Sequence, residues 1–85
     1  MEEYNPHLQA VIFKVVDSQM AAGDPPETKQ TFERLLGEGF SKEDAKKLIG
    51  QAICVEIYCI EKYKELFNRE RYLRNLRNLP GEPEE

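Results

Sequence analysis

The chain predicts an all-α fold: a three-helix bundle with a long third helix and a short fourth C-terminal helix. Three observations carry that expectation. Apolar residues recur at the three-to-four-residue spacing of helices, and the strict alternation of a strand occurs nowhere. Helix-starting and helix-stopping residues punctuate the chain between four such segments. At 85 residues there is room for one core and not for two. Residues 1–79 read as a single helical domain, and residues 80–85 as an acidic, disordered tail.

The first helix starts at Asn5-Pro6, with Asn5 as N-cap and Pro6 at the first helical position, where an N–H would lack a partner anyway. Leu8, Val11, Ile12, Val15, Val16 and Met20 form its apolar face, and Gly23 stops it. Asp24-Pro25-Pro26-Glu27 reads as the next start, with Asp24 capping and Glu27 at N3 as in a capping box. Phe32, Leu35 and Leu36 mark the buried face of the second helix, which Gly37-Glu38-Gly39 ends. Ser41 is the third N-cap, with Asp44 three residues on. The third helix reads from Lys42 to Phe67 along a stripe of Ala45, Leu48, Ile49, Ala52, Ile53, Ile57, Ile60, Tyr63 and Phe67. Gly50 interrupts it at a cost of about 1 kcal/mol relative to Ala, which fits a position where a neighbouring helix comes close. Asn68 caps a fourth helix, Arg69 to Leu79, read as an appendage on the other three.

Sixteen acids against twelve bases leave a net charge of −4. That balance disfavours nucleic-acid binding, which needs a basic footprint. The longest apolar runs, such as Ala10 to Phe13, are far shorter than the roughly 20 residues of a spanning helix. The start Met1-Glu2-Glu3-Tyr4 has neither the basic residues nor the apolar stretch of a secretion signal. A cytoplasmic protein without membrane attachment is expected. Cys54 and Cys59 stand about 140° apart around a helix axis, so they cannot bridge each other and read as reduced thiols packed as small apolar groups. No phosphate-cradling glycine loop, nucleophilic triad or zinc-spaced Cys/His set occurs, so the sequence leans away from an enzyme.

Four features stand out against this plain background. Glu56 falls in the middle of the third helix's apolar stripe, where a carboxylate must pair, bind a metal or stay protonated. Gln19 falls near the centre of the first helix's apolar face, a buried amide able to donate to Glu56 or to a backbone carbonyl. His7 is the single histidine; with Asp17 and Glu56 it forms the candidate ligand set for a divalent metal. The fourth helix carries Arg69, Arg71, Arg74 and Arg77 around a narrow apolar seam of Leu73, Leu76 and Leu79, with Tyr72 beside it.

The runs Asn5-Pro6-His7-Leu8-Gln9, Val15-Val16-Asp17 with Gln19, Asp24-Pro25-Pro26-Glu27, Leu35-Leu36, Gly39-Phe40-Ser41, Glu43-Asp44-Ala45, Glu56-Ile57-Tyr58 and Asn68-Arg69-Glu70-Arg71-Tyr72 follow one another in order. Together they resemble a family of small bacterial all-helical proteins of unknown function, over most of the stretch from Asn5 to Leu79. The resemblance implies histidine pairs in relatives at the positions held here by Gln9 and Phe13, and by Glu43 and Lys47. Such pairs four apart on one helix face are a metal-ligand arrangement, which implies a metal site in those relatives. Phe13 and Lys47 are not ligands, so the pairs are not retained here.

The expectation that follows is a non-enzymatic interaction or structural module that associates with itself or a protein partner. Its contact surface is read as Arg69, Tyr72, Leu73, Leu76, Arg77 and Leu79. The alternative is a metal-binding helical protein using His7, Asp17 and Glu56. A weaker one is RNA or an acidic partner held by the arginines of the fourth helix.

Overall fold

The computed structural model describes residues 6–85, with side chains from Leu8 onward. Its four helices are α1 (Pro6–Ala22), α2 (Pro26–Gly37), α3 (Lys42–Tyr63) and α4 (Arg69–Asn78). No strand occurs among the described residues, and no helix is long and apolar enough to cross a membrane. Asn5, read as the first N-cap, lies outside the described residues.

Gly23 ends α1 with a φ of +67°, the left-handed conformation that glycine adopts without a Cβ clash. The start of α2 differs from the capping box expected. The N-cap is Pro25 and not Asp24, and no side chain caps the helix. Pro26 at the first position removes one orphan donor, and the Pro25 carbonyl accepts the Thr28 N–H at 3.1 Å. Ser41 does cap α3, its Oγ accepting the Asp44 N–H at 3.0 Å.

The core joins Ile12 and Val16 of α1, Leu35 of α2, Ala45, Ile49, Ala52 and Ile53 of α3, and Tyr72, Leu76 and Leu79 from α4 and its end. Helix α1 packs on α2 and α3, while α4 packs on α2 and α3. The fourth helix is therefore no appendage. The seam expected to be an exposed contact surface is the part of α4 that closes the chain's own core: Tyr72, Leu76 and Leu79 are buried, and Leu73 packs against them half-buried. Periodicity marks a face that must be covered but not which molecule covers it.

Helix α3 stops at Tyr63, four residues short of the Phe67 expected. Lys64 takes a left-handed conformation, φ 56° and ψ 33°. Residues 64–68 form a loop, and Asn68 caps α4 by accepting the Arg71 N–H at 3.0 Å. The physical reason is Glu56, whose partners are Asn68 at the end of this loop and Arg71 beyond it. In an unbroken helix, twelve residues from Glu56 to Asn68 would span about 18 Å. In the folded chain the Asn68 N–H reaches the Glu56 carboxylate at 2.9 Å.

Residues 80–85, expected from composition to be disordered, turn back along α4. The Asn75 side chain holds the main chain of Glu84 on both sides, and the Tyr63 hydroxyl donates to Glu85. Two well-placed amide hydrogen bonds are a constraint that composition does not show.

Helices α1 and α3 run antiparallel, with Asp17 opposite Lys46 and Ile12 opposite Gly50. A Cβ on Gly50 would lie 2.9 Å from Ile12 Cγ2, so the missing side chain is what admits α1. Overpacking a core contact costs about 1–3 kcal/mol, whereas Ala gains about 1 kcal/mol over Gly in a helix. Gly50→Ala is therefore expected to destabilise by about 1 kcal/mol on balance, and to become stabilising in an Ile12→Ala background. Urea denaturation of wild type, the two single variants and the double variant checks this; strictly additive effects would rule out the contact as the reason for Gly50.

Candidate functional site

Glu56 is 1% exposed on the core side of α3. A carboxylate there needs both a counter-charge and donors. Arg71 supplies both: Nε donates to Oε2 at 2.6 Å and Nη2 to Oε1 at 3.1 Å, a two-pronged contact. The Asn68 N–H donates to the same Oε1 at 2.9 Å. Arg71 is 8% exposed, and its Nη2 also donates to Glu65 Oε1 at 2.8 Å. Hydrogen bonds to Glu56, and then to Glu65, hold the Arg71 guanidinium protonated far above its usual range. Of the fates open to Glu56, the structure assigns the ion pair.

Two of the three expected metal ligands, Asp17 and Glu56, are not brought together. Glu56 is engaged by Arg71 and Asn68, while Asp17 pairs with Lys46 Nζ at 2.8 Å near the surface. Lys46 and Glu56 are separated by about 15 Å along the α3 axis, so Asp17 and Glu56 do not share a site. The side chain of His7 lies outside the described residues. Among the described residues, no three His, Cys, Asp or Glu side chains converge on one point.

Gln19, expected to be a buried amide, is half-buried near the ends of α1 and α2, and it is satisfied in a way its spacing does not indicate. Its Oε1 accepts from Tyr72 Oη at 2.8 Å and from Thr28 Oγ1 at 2.7 Å, closing a triangle whose two hydroxyl oxygens are 3.3 Å apart. Helices α1, α2 and α4 meet there. The partners are hydroxyls on α2 and α4 instead of Glu56 or a backbone carbonyl. Burial pushes the Tyr72 phenol up, with the hydrogen bonds to Thr28 and Gln19 opposing. Cys59 is buried, and burial pushes its thiol up against the pull of Arg71; Cys54 is exposed, and so is not packed as an apolar group.

The contact residues read from α4 divide into two groups. Tyr72, Leu76 and Leu79 are spent inside the chain. Arg69 faces Asp24 and Glu27 at 3.9 and 3.8 Å in the open, and Arg77 lines a shallow depression on the outer face of α4 with Glu70, Leu73 and Arg74.

Exposed apolar side chains lie elsewhere: Leu8 and Val11 on α1, and a larger group where α3 gives way to α4. Leu66 is 88% exposed, with Phe67 and Tyr63 about half exposed and Ile60 at the open end of the α3 stripe. Phe67 is fixed against Tyr72, ring centroids 5.5 Å apart. Lys62 Nζ sits 5.2 Å and 5.3 Å from the ring centroids of Tyr58 and Tyr63, a cation between two aromatic faces. This loop is pinned at both ends: Glu65 is held by Arg71, and Asn68 by Glu56. Sequence reasoning missed it because Phe67 continued the helical stripe; the signal available was the exposed Leu66, which fits no position on that stripe.

No protein-family model matches the chain, and comparison with curated proteins and with solved structures finds no match.

Removing one member of a buried pair strands the other, at about 3–5 kcal/mol. Glu56→Gln is expected at the low end, about 3 kcal/mol, because Glu65 still faces Arg71. A loss below about 1 kcal/mol in urea denaturation would place the contact with surface bridges. For Tyr72 the sign is fixed by a folded-state pKa above the unfolded one. Its contribution is complete below the unfolded value near pH 10 and is lost as pH rises toward the folded value. In a titration followed by tyrosinate absorbance, one phenol is expected to ionise late and together with unfolding. Tyr72→Phe is expected to remove that late phase.

Proposed function

We propose that this chain is a helical interaction module that pairs with a second copy of itself and binds rather than catalyses. In this reading its four helices form one small bundle, and the contact face is the α3–α4 junction: Ile60, Tyr63, Leu66 and Phe67. The observation that carries the reading is Leu66, 88% exposed on a loop whose neighbours on both sides are fixed by the Glu56–Arg71–Glu65 network. A large aliphatic side chain held outward by a rigid loop is arranged for contact, since ordering it in advance lowers the entropy lost on binding.

Charge favours a second copy over a partner of one sign. The apolar face is bordered by Lys62 and Lys64 and by Glu61, Glu65 and Glu85. A two-fold contact places the same patch against itself and needs both signs on it. The polar side chains of the interior support binding over catalysis: Glu56, Arg71, Gln19, Thr28 and Tyr72 are committed to one another. Action in the cytoplasm, with both thiols reduced, belongs to the same reading and fits an exposed Cys54 far from a bridging partner. The likeness to small bacterial helical proteins is part of it as well, and rests on the residue runs alone.

Leu66 contributes almost nothing to its own core, so Leu66→Asp is expected to leave the melting temperature unchanged. In a two-fold dimer the side chain is lost twice, at about 2 kcal/mol each, which weakens association about 1,000-fold. Analytical ultracentrifugation over a concentration series measures both proteins. A wild-type chain that stays monomeric throughout, or a variant that pairs equally well, ends this reading.

A further inference from the structure

Asn75 is a buried amide, 1% exposed, on the face of α4 that the tail covers. Its Nδ2 donates to the Glu84 carbonyl at 2.9 Å, and its Oδ1 accepts the Glu84 N–H at 3.0 Å. A side-chain amide that grips both polar groups of one residue's main chain reproduces one rung of a β ladder. Such a contact recognises extended backbone whatever side chain it carries. Side-chain selection comes from a second point: Tyr63 Oη donates to the Glu85 carboxylate at 3.1 Å. Pro83, beside Glu84, is half-buried. The Glu85 carboxylate is a charged acceptor, so the Tyr63 hydrogen bond favours an acidic residue at that position.

The tail enters this site through one tight turn. The Gly81 N–H donates to the Asn78 carbonyl at 2.7 Å, and a Cβ on Gly81 would lie 2.8 Å from that same oxygen. Beyond the turn, hydrogen bonds with Asn75 and Tyr63 hold the tail.

The geometry points to a peptide-binding site on α4, built from Asn75 and Tyr63, that accepts an extended acidic segment and is occupied by the chain's own residues 82–85. A partner segment of the same chemistry displaces the tail. The inference stands apart from self-pairing, since it concerns a different ligand and a site whose central residue, Asn75, is not on the apolar face. The two surfaces touch at Tyr63, whose hydroxyl serves the tail and whose ring borders the apolar patch.

The test keeps the full chain and loosens the tail in two independent ways. Glu84→Pro removes the N–H that Asn75 accepts, and Gly81→Ala obstructs the turn. A free peptide with the sequence of residues 80–85 is titrated into each nitrogen-15-labelled protein, and the Asn75 side-chain amide signals are followed by NMR. In wild type the attached tail competes at an effective concentration in the millimolar range, so the free peptide binds weakly. In both variants the peptide is expected to bind at least about tenfold more tightly, and a version with Gln for each Glu several-fold less so. Asn75→Ala added to either variant is expected to abolish binding, as read by fluorescence anisotropy of a labelled peptide. Unshifted Asn75 signals in both variants, equal affinity in wild type and variants, equal affinity for the Gln peptide, or undiminished binding after Asn75→Ala would each overturn the assignment. Far-UV circular dichroism of every variant separates these outcomes from a failure to fold.

Discussion

The buried carboxylate of Glu56 sets the course of the chain from residue 56 onward. A charge at 1% exposure has to be met by another charge and by hydrogen-bond donors, and the helix that carries Glu56 offers neither. The chain supplies them from beyond the helix, with the guanidinium of Arg71 and the N–H of Asn68. Reaching Glu56 from there requires the helix to end and the chain to reverse within a few residues. Lys64 takes the left-handed turn that a lysine adopts at some cost, and Asn68 serves twice, its N–H on Glu56 and its side chain capping α4. The ion pair is weak evidence of net stability, because desolvating both charges offsets much of their attraction. It specifies the chain path, since alternative paths leave a bare charge in the core.

A chain of 85 residues has few apolar side chains to divide among four helices, and the polar contacts of α4 show how the remainder is organised. Arg71 ties α4 to α3, and Tyr72 ties it to α1 and α2 through Gln19 and Thr28. Arg34 Nη2 donates to the Leu76 carbonyl at 3.0 Å, a second donor beside the Leu79 N–H at the C-terminus of α4, and so ties α4 to α2. Each contact involves a group that is costly to leave unpaired in its place, so each penalises a misplaced α4 more than it rewards the correct one. Apolar burial then holds what these contacts align.

The sequence made the helices legible and left their partners unread. Caps and glycines placed α1, α2 and the start of α3 to within a residue or two, because those signals are local. The misreadings arise from non-local chemistry. Asp24 looked like a cap, yet the chain passes through Pro25 before turning helical. Phe67 kept the period of α3, but the period cannot register that Glu56 needs Arg71. Glu56 and Gln19 were visible as polar residues on apolar faces, since wheel geometry follows from spacing. Their partners sit on other helices at separations of 15 and 53 residues, which no local pattern encodes. Asn75 gave no sign at all: an asparagine among arginines reads as a solvated residue until the tail is seen over it.

The contact surface proposed for the α3–α4 junction follows from the same logic. In a small chain an apolar seam has two claimants, the molecule's own core and a partner, and the core has the stronger claim because it is always present at high effective concentration. Leu76 and Leu79 are therefore consumed by folding. What identifies a surface for a partner is an apolar residue that the folded chain positions firmly and still leaves outside. Leu66 meets both conditions, through its exposure and through the pinning of Glu65 and Asn68 on either side. Tyr63 adds a connection between this surface and the tail, since one side chain gives its hydroxyl to Glu85 and its ring to the patch. If both proposals hold, an event that draws the tail away also changes the edge of the apolar face, because the Tyr63 phenol belongs to both.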